Sequence, residues 1–164
     1  MSTQASPVAS WETTSAQWVI PQHIVDQAPE SPCVHRLANF ALGLGDTAQT
    51  ASQQCACQLL VESGTALDAG CGGGQSSVPL VRAATSITGV DEQESMLQSF
   101  AMAWENTGVA HSEVLGRWPA IAAHVVPADV AVCHHVVYNV ADIESFLREL
   151  SAHTRRGVMV ELPS

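Results

Sequence analysis

A chain of 164 residues, 46% hydrophobic and 13% charged, has the length for one domain with a sizeable core and is too apolar for a disordered segment. Its 16 acidic side chains against 6 basic ones give a net charge of −10 with histidine neutral, which repels phosphate backbones and disfavours nucleic acid as a partner. The 5 cysteines (Cys33, Cys55, Cys57, Cys71, Cys133) show no CxxC spacing and leave an odd one under full pairing, which disfavours a disulfide scaffold and suits a reducing compartment.

The opening "MSTQASPVASWETTS" lacks the basic n-region and long apolar run of a secretory signal, and reads as a frayed tail to about Ser15. No stretch reaches the roughly 18 apolar residues of a membrane span, so the expected setting is cytoplasmic, with no membrane partner. An irregular lead-in follows, interrupted by Pro21, Pro29 and Pro32, each of which bars a continuous helix. Residues 1–46 thus read as tail and lead-in, and residues 47–164 as the main domain. A helix is expected from about Thr47 to Glu62, stopped by Ser63-Gly64. "TALDA" reads as a first strand, "SSVPLVRAA" as a helix in which Pro79 fits only near the first turn, and "SITGVD" as a second strand. "EQESMLQSFAMAWENTG" places Met96, Leu97, Phe100 and Trp104 at helical spacing, with Gly108 just past the end. "AHSEVLG" is a third strand, and "PADVAVCHHVVYNV" holds a fourth. "ADIESFLRELSAHTRR" is an amphipathic helix with Asp142 as N-cap, and "GVMVEL" is a fifth strand. Strands alternating with helices predict βαβ crossovers, hence an α/β fold with a mainly parallel sheet covered on both faces.

Ligands of such sheets bind beyond the carboxyl ends of the strands, where Gly70, Gly72, Gly73 and Gly74 let the backbone turn sharply and approach closely. A dinucleotide fingerprint, G-x-G-x-x-G, fits poorly. Counted from Gly70 its third glycine falls on Gln75, and from Gly72 on Ser77. Asp68, two residues before the first glycine, would repel a pyrophosphate but suits a ligand with an ammonium group. Asp91 ends the second strand, 23 positions after Asp68, where a carboxylate accepts both hydroxyls of a ribose.

"LDAGCGGG" resembles motif I of the class I S-adenosylmethionine-dependent methyltransferases, [D/E]-x-G-x-G-x-G, with Asp68, Gly70, Gly72 and Gly74 on its defining positions. The resemblance runs from roughly Thr65 to Glu161 and implies a Rossmann-like three-layer sandwich with S-adenosylmethionine as cofactor. It implies that the glycine loop faces the amino-acid and ribose parts of the cofactor, that Asp68 orients the methionyl part, and that Asp91 holds the ribose. The loop after the third strand reads Gly116-Arg117-Trp118, without the acid many members place there, so Trp118 is the candidate to stack on adenine, its plainer reading being a packing residue. "ADVAVCHHVVYNV" resembles the family's fourth strand, which makes Cys133, His134, His135 and Tyr138 candidates for the wall of the site. The lead-in resembles an N-terminal cap, with Trp18, His23 and His35 closing the site from above. Strands one to five are present and the family's β6/β7 hairpin is not in the sequence. The resemblance therefore implies a C-terminally truncated chain, or a fifth strand covered by a partner chain or a second copy.

Methyl transfer from a sulfonium needs chiefly proximity and alignment, with a base only where the acceptor must lose a proton. His134 and His135 are the candidate catalytic residues. Adjacent in a strand, they are expected on opposite faces, not both in the cleft. No metal site is expected. The leading expectation is a methyltransferase acting on a small molecule. The alternatives are a cofactor-binding module or inactive fragment without turnover, and an NAD-dependent oxidoreductase.

Overall fold

The computed structural model describes residues 6–17, 20–27, 49–61 and 63–162. Strands β1 (Gly64–Ala69), β2 (Ala84–Asp91), β3 (Ala110–Leu115), β4 (Ala128–His134) and β5 (Thr154–Glu161) form one sheet in the order β3-β2-β1-β4-β5. Every neighbouring pair is parallel. β1 is therefore central, with β2 and β4 on its two sides, and the register sets Asp68 beside Gly89 of β2 and Val132 of β4.

Alternation along the strands separates two cores. On one face Ala66, Ile87, Val130 and Val132 meet Ala56 and Leu60 of helix α3 (Ala51–Leu60) and Leu97, Phe100 and Trp104 of α4 (Glu94–Trp104). On the other, Leu67, Val90, Ala131 and Cys133 meet Trp118, Ala122 and Val125, together with Phe146 and Leu150 of α5 (Ile143–Ala152). Helices on both faces of a parallel sheet make the Rossmann-like three-layer sandwich expected. Burial of each large side chain here contributes about 1.5–3 kcal/mol.

Local signals fix the element ends. Asp142 caps α5 by accepting from the Ser145 N–H at 3.0 Å, and Gly108 lies beyond α4 with φ +78°. α3 starts at Ala51, later than its composition suggests, because Thr50 and Gln53 form a capping box. Its far end is held by Arg156 of β5, whose Nη1 donates to the carbonyls of Leu59 and Leu60 at 2.9 and 2.8 Å.

Two expectations need correction. The segment after the glycine loop is not an α-helix but a 3-10 turn, Val78–Arg82. Pro79 lies within the first two positions of that turn and, lacking an N–H, suits a short tight turn better than an extended helix. The opening residues are not all a frayed tail, since Pro7–Gln17 form helix α1. Ser6 accepts from the Ala9 N–H and Pro7 takes the first helical position, a start signal. The Trp11 indole N–H fastens α1 to the domain by donating to the Val140 carbonyl at 2.8 Å. A short helix α2 (Gln22–Val25) follows.

Gly89 of β2 shows how closely α4 rides on the sheet. A Cβ at that position would lie 2.8 Å from the buried Phe100 ring and 3.0 Å from Cys71 Sγ. Gly89→Ala is expected to destabilise the fold by about 1–3 kcal/mol through overpacking, read as a lower urea midpoint with an unchanged slope.

Candidate active site

β1, β2 and β4 end together, and beyond their carboxyl ends lies a cleft of about 620 Å³. The glycine loop forms its floor. The N–H groups of Gly70 and Cys71 both donate to the Val90 carbonyl, at 2.8 and 3.0 Å, which folds the loop back over β2. Gly70 has φ +77°, and a Cβ there would stand 2.4 Å from Val136 Cγ2, so neither the conformation nor the space admits a side chain. The Gly72 N–H donates to Asp91 Oδ2 at 3.0 Å, and the Gln93 N–H to Oδ1 at 2.9 Å. Asp91 thus pins the loop to the end of β2 while it lines the cleft.

The site residues expected from the sequence divide into two groups. Gly70, Gly72, Asp91, Trp118, His134 and His135 line the cleft. Asp68, Gly74, Cys133 and Tyr138 are not among its lining residues. Gly74 turns instead toward Phe100 and Trp104 of α4, and Cys133 lies in the core on the α5 side. Trp118 is 5% exposed, donates its indole N–H to the Phe146 carbonyl at 3.2 Å, and meets the His153 ring edge-on at 5.0 Å. That anchoring makes it a wall with limited freedom. His23 is exposed on α2 and does not line the cleft, whereas Trp18 and His35 fall outside the described residues.

Asp68 is fully buried. The Ser76 hydroxyl, which lines the cleft, donates to its Oδ2 at 2.8 Å, and Oδ1 has no hydrogen-bond partner. Burial pushes this carboxyl up to about 6; the bonded Ser76 hydroxyl and the nearby Ser77 hydroxyl, which is itself directed to the Gly74 carbonyl at 3.4 Å, pull it partly back, and Asp91 adds a further upward push. Burial likewise raises the Cys71 thiol far above its usual range, with Asp68 and Asp91 adding to it. The Cys133 thiol is pushed up to about 12, again by burial first and Asp68 second. Neither is a thiolate nucleophile.

The histidine pair departs from the expected alternation. β4 ends at His134, and His135 takes φ +59°, so both side chains reach the cleft. The left-handed turn at His135 is held by its N–H, which donates to the Glu161 carbonyl at 2.9 Å. Burial lowers the His134 imidazole, Glu161 pulls it back up, and the neighbouring His135 adds a smaller downward push. Glu161, at the end of β5, was not singled out from the sequence, nor were Thr50 and Gln53 of the α3 cap, and all three line the cleft. The capping-box spacing Thr50-x-x-Gln53 was the available signal for the latter two. Gln53 closes the far end of the glycine loop by donating to the Ser76 carbonyl at 3.1 Å.

The charged side chains of the cleft are mostly acidic. Asp91, Glu92, Asp142 and Glu161 line it, and Arg117, the basic side chain at its mouth, pairs with Glu92 at 2.9 Å. An orphaned carboxylate oxygen behind a glycine cradle, under an acidic rim, suits a cationic ligand and repels pyrophosphate. These residues fit S-adenosylmethionine. Among the described residues no group of three His, Cys, Asp or Glu is placed to hold a metal ion.

A family profile described as "Methyltransferase domain" matches residues 67–160, more than half of the chain. The chain belongs to the class I S-adenosylmethionine-dependent methyltransferases. It is 33% identical over 93 residues to the ubiquinone biosynthesis O-methyltransferase of Methylobacterium sp. strain 4-46, covering 57% of this chain and 37% of that protein. A second such enzyme, from Caulobacter vibrioides, is 34% identical over 98 residues with the same shares. The chain thus spans little more than a third of these relatives' length. Among solved structures, magnesium protoporphyrin IX methyltransferase from Synechocystis PCC 6803 with bound SAM matches with a TM-score of 0.52 at 19% identity, over 98% of this chain and 64% of that one. This likeness shows the family's fold.

The buried carboxylate yields a measurable consequence. An unfolded aspartate titrates near 3.8 and the folded Asp68 near 6, so this group's contribution to stability is full below 3.8 and lost as pH rises through about 6. Asp68→Asn removes that loss. In the ligand-free protein it is expected to raise stability above pH 6 by on the order of 3 kcal/mol, with little gain at pH 4, as read by urea unfolding across that range.

Proposed function

We propose that this chain binds S-adenosylmethionine in the cleft and serves the transfer of its methyl group to a hydroxyl of a small molecule. The observation that carries the reading is the fully buried, half-satisfied Asp68 behind a glycine loop in an acidic cleft, a cation site in a chain of this family. When bound, the cofactor supplies an activated methyl group on a sulfonium, displaced in line by the acceptor. The protein's share is placement. Asp91 accepts the ribose hydroxyls with the lone pairs its two backbone donors leave free. Gly70 and Gly72 allow close approach, and Asp68 acts through Ser76 on the ammonium end. Trp118 flanks the adenine, and Cys133 and Gly74 support the walls from behind. His134 and His135, both of which line the cleft, serve as the base for the acceptor proton.

The names of the relatives support an O-methyl acceptor, and the net charge of −10 supports a small molecule over nucleic acid. The fold is neutral on that point, since an rRNA methylase from Streptococcus thermophilus shares it with a TM-score of 0.54 at 14% identity, over 69% of this chain and 67% of that one. Among the described residues no helix is long and apolar enough to cross a membrane, and the 4 described cysteines are free, which supports a cytoplasmic setting. β5 lies at the edge of the sheet, and a partner chain, a second copy or further strands would cover it.

Titration calorimetry with S-adenosylmethionine, its demethylated product and NAD tests the reading. The first two are expected to bind and NAD is not. Asp91→Ala is expected to weaken cofactor binding roughly 10- to 100-fold, the loss of one or two charge-assisted hydrogen bonds. Binding of NAD with no response to the sulfonium would overturn the assignment. Binding without methyl transfer across a panel of phenols, catechols and carboxylic acids would restrict the chain to holding the cofactor.

A further inference from the structure

Glu161 meets the histidine pair with both its backbone and its side chain. Its carbonyl accepts the His135 N–H at 2.9 Å. Its Oε1 lies 3.7 Å from His135 Nε2, and its Oε2 3.9 Å from His134 Nδ1. These are ion-pair rather than hydrogen-bond distances, so the coupling is Coulombic. The carboxylate is itself fixed, because the Ser52 hydroxyl donates to Oε2 and Arg156 of the same strand ties the other end of α3. The Ser52 bond is the main cause that keeps the Glu161 carboxyl below its ordinary range, so it stays charged at neutral pH. His134 is 9% exposed and lines the cleft, and its Nε2 is buried without a hydrogen-bond partner.

We propose that Glu161 is the positioning residue of the site, holding His134 and His135 as a proton-accepting pair for an acceptor that must lose a hydroxyl proton. The inference rests on the methyltransferase reading and adds to it a residue and a requirement on the acceptor. In the step it serves, the acceptor's O–H proton passes to an imidazole nitrogen. The oxygen lone pair forms the new C–O bond, and the bond from that carbon to the sulfonium sulfur breaks with its electron pair left on sulfur. The imidazolium then returns its proton to solvent. A carboxylate beside an imidazole stabilises the imidazolium and raises its basicity, which is useful only if the acceptor gives up a proton. The other charged groups around the pair are Asp142 from the loop before α5 and Asp91, Glu92 and Arg117 from the far side of the cleft, all unaltered by a change at position 161.

The test is Glu161→Gln, which keeps an acceptor for Ser52 and removes the charge. In the full chain without cofactor, NMR titration of the imidazole resonances is expected to show His134 titrating about one pH unit lower than in the wild type, with Glu161→Asp close to the wild type. With catechol as the probe acceptor, kcat in Glu161→Gln is expected to fall about 10-fold at pH 7, its acidic limb moving to lower pH. An unmoved His134 titration overturns the proposal whatever the activity. Methyl transfer with an unaltered pH profile in the variant overturns it as well. Absence of transfer in the wild type, with the NMR shift present, would instead strike at the methyltransferase reading alone.

Discussion

Two backbone N–H groups, of Gly70 and Cys71, converge on the carbonyl of Val90. That pair of hydrogen bonds joins the end of β1 to the end of β2 and bends the glycine loop back across the sheet. In the loop so placed, the Gly72 N–H donates to Asp91, and Ser76, at the cleft, donates to Asp68. The arrangement needs Gly70 because the left-handed turn and the Val136 side chain leave no room for a Cβ. Sheet topology does the rest: with β1 central and β4 beside it, His134 and the β4–β5 register bring Glu161 to the same mouth.

Charge is the second constraint on that mouth. A carboxylate buried to zero exposure is costly unless something positive or a proton compensates it. In the free chain only one oxygen of Asp68 is bonded, and burial raises its affinity for a proton. The fold thus holds a buried carboxylate oxygen without a partner, which on the proposed reading a cationic ligand would relieve and a pyrophosphate would not. The exposed pairs around the rim, such as Arg117 with Glu92, contribute little energy by comparison and act mainly on the local potential.

Much of this was legible in the residues. Alternation and helical spacing located all five strands and the helices holding Phe100, Trp104, Phe146 and Leu150, because each element buries a patterned face. The glycine spacing and Asp91 located the cleft. What was not legible depends on single dihedral angles and on contacts distant in sequence. The positive φ at His135 breaks the strand alternation that would have separated the two histidines. Glu161 joins them only because β5 runs beside β4. Gly74 fits the motif by spacing, yet packs on α4, since a motif records backbone requirements as well as ligand contacts. Helix α1 announced itself through Ser6 and Pro7, a signal masked by the Ser- and Thr-rich composition around it.

The most direct measurement of the link between Asp68 and a cationic cofactor is calorimetry of S-adenosylmethionine binding in buffers of different ionisation enthalpy. At pH 6, near the titration point of the buried carboxyl, binding is expected to release roughly half a proton as Asp68 ionises toward the ligand's positive charge. The release should vanish at pH 8 and in Asp68→Asn. Binding of normal affinity at pH 6 with no proton release would contradict a buried carboxylate that answers to the cofactor's charge.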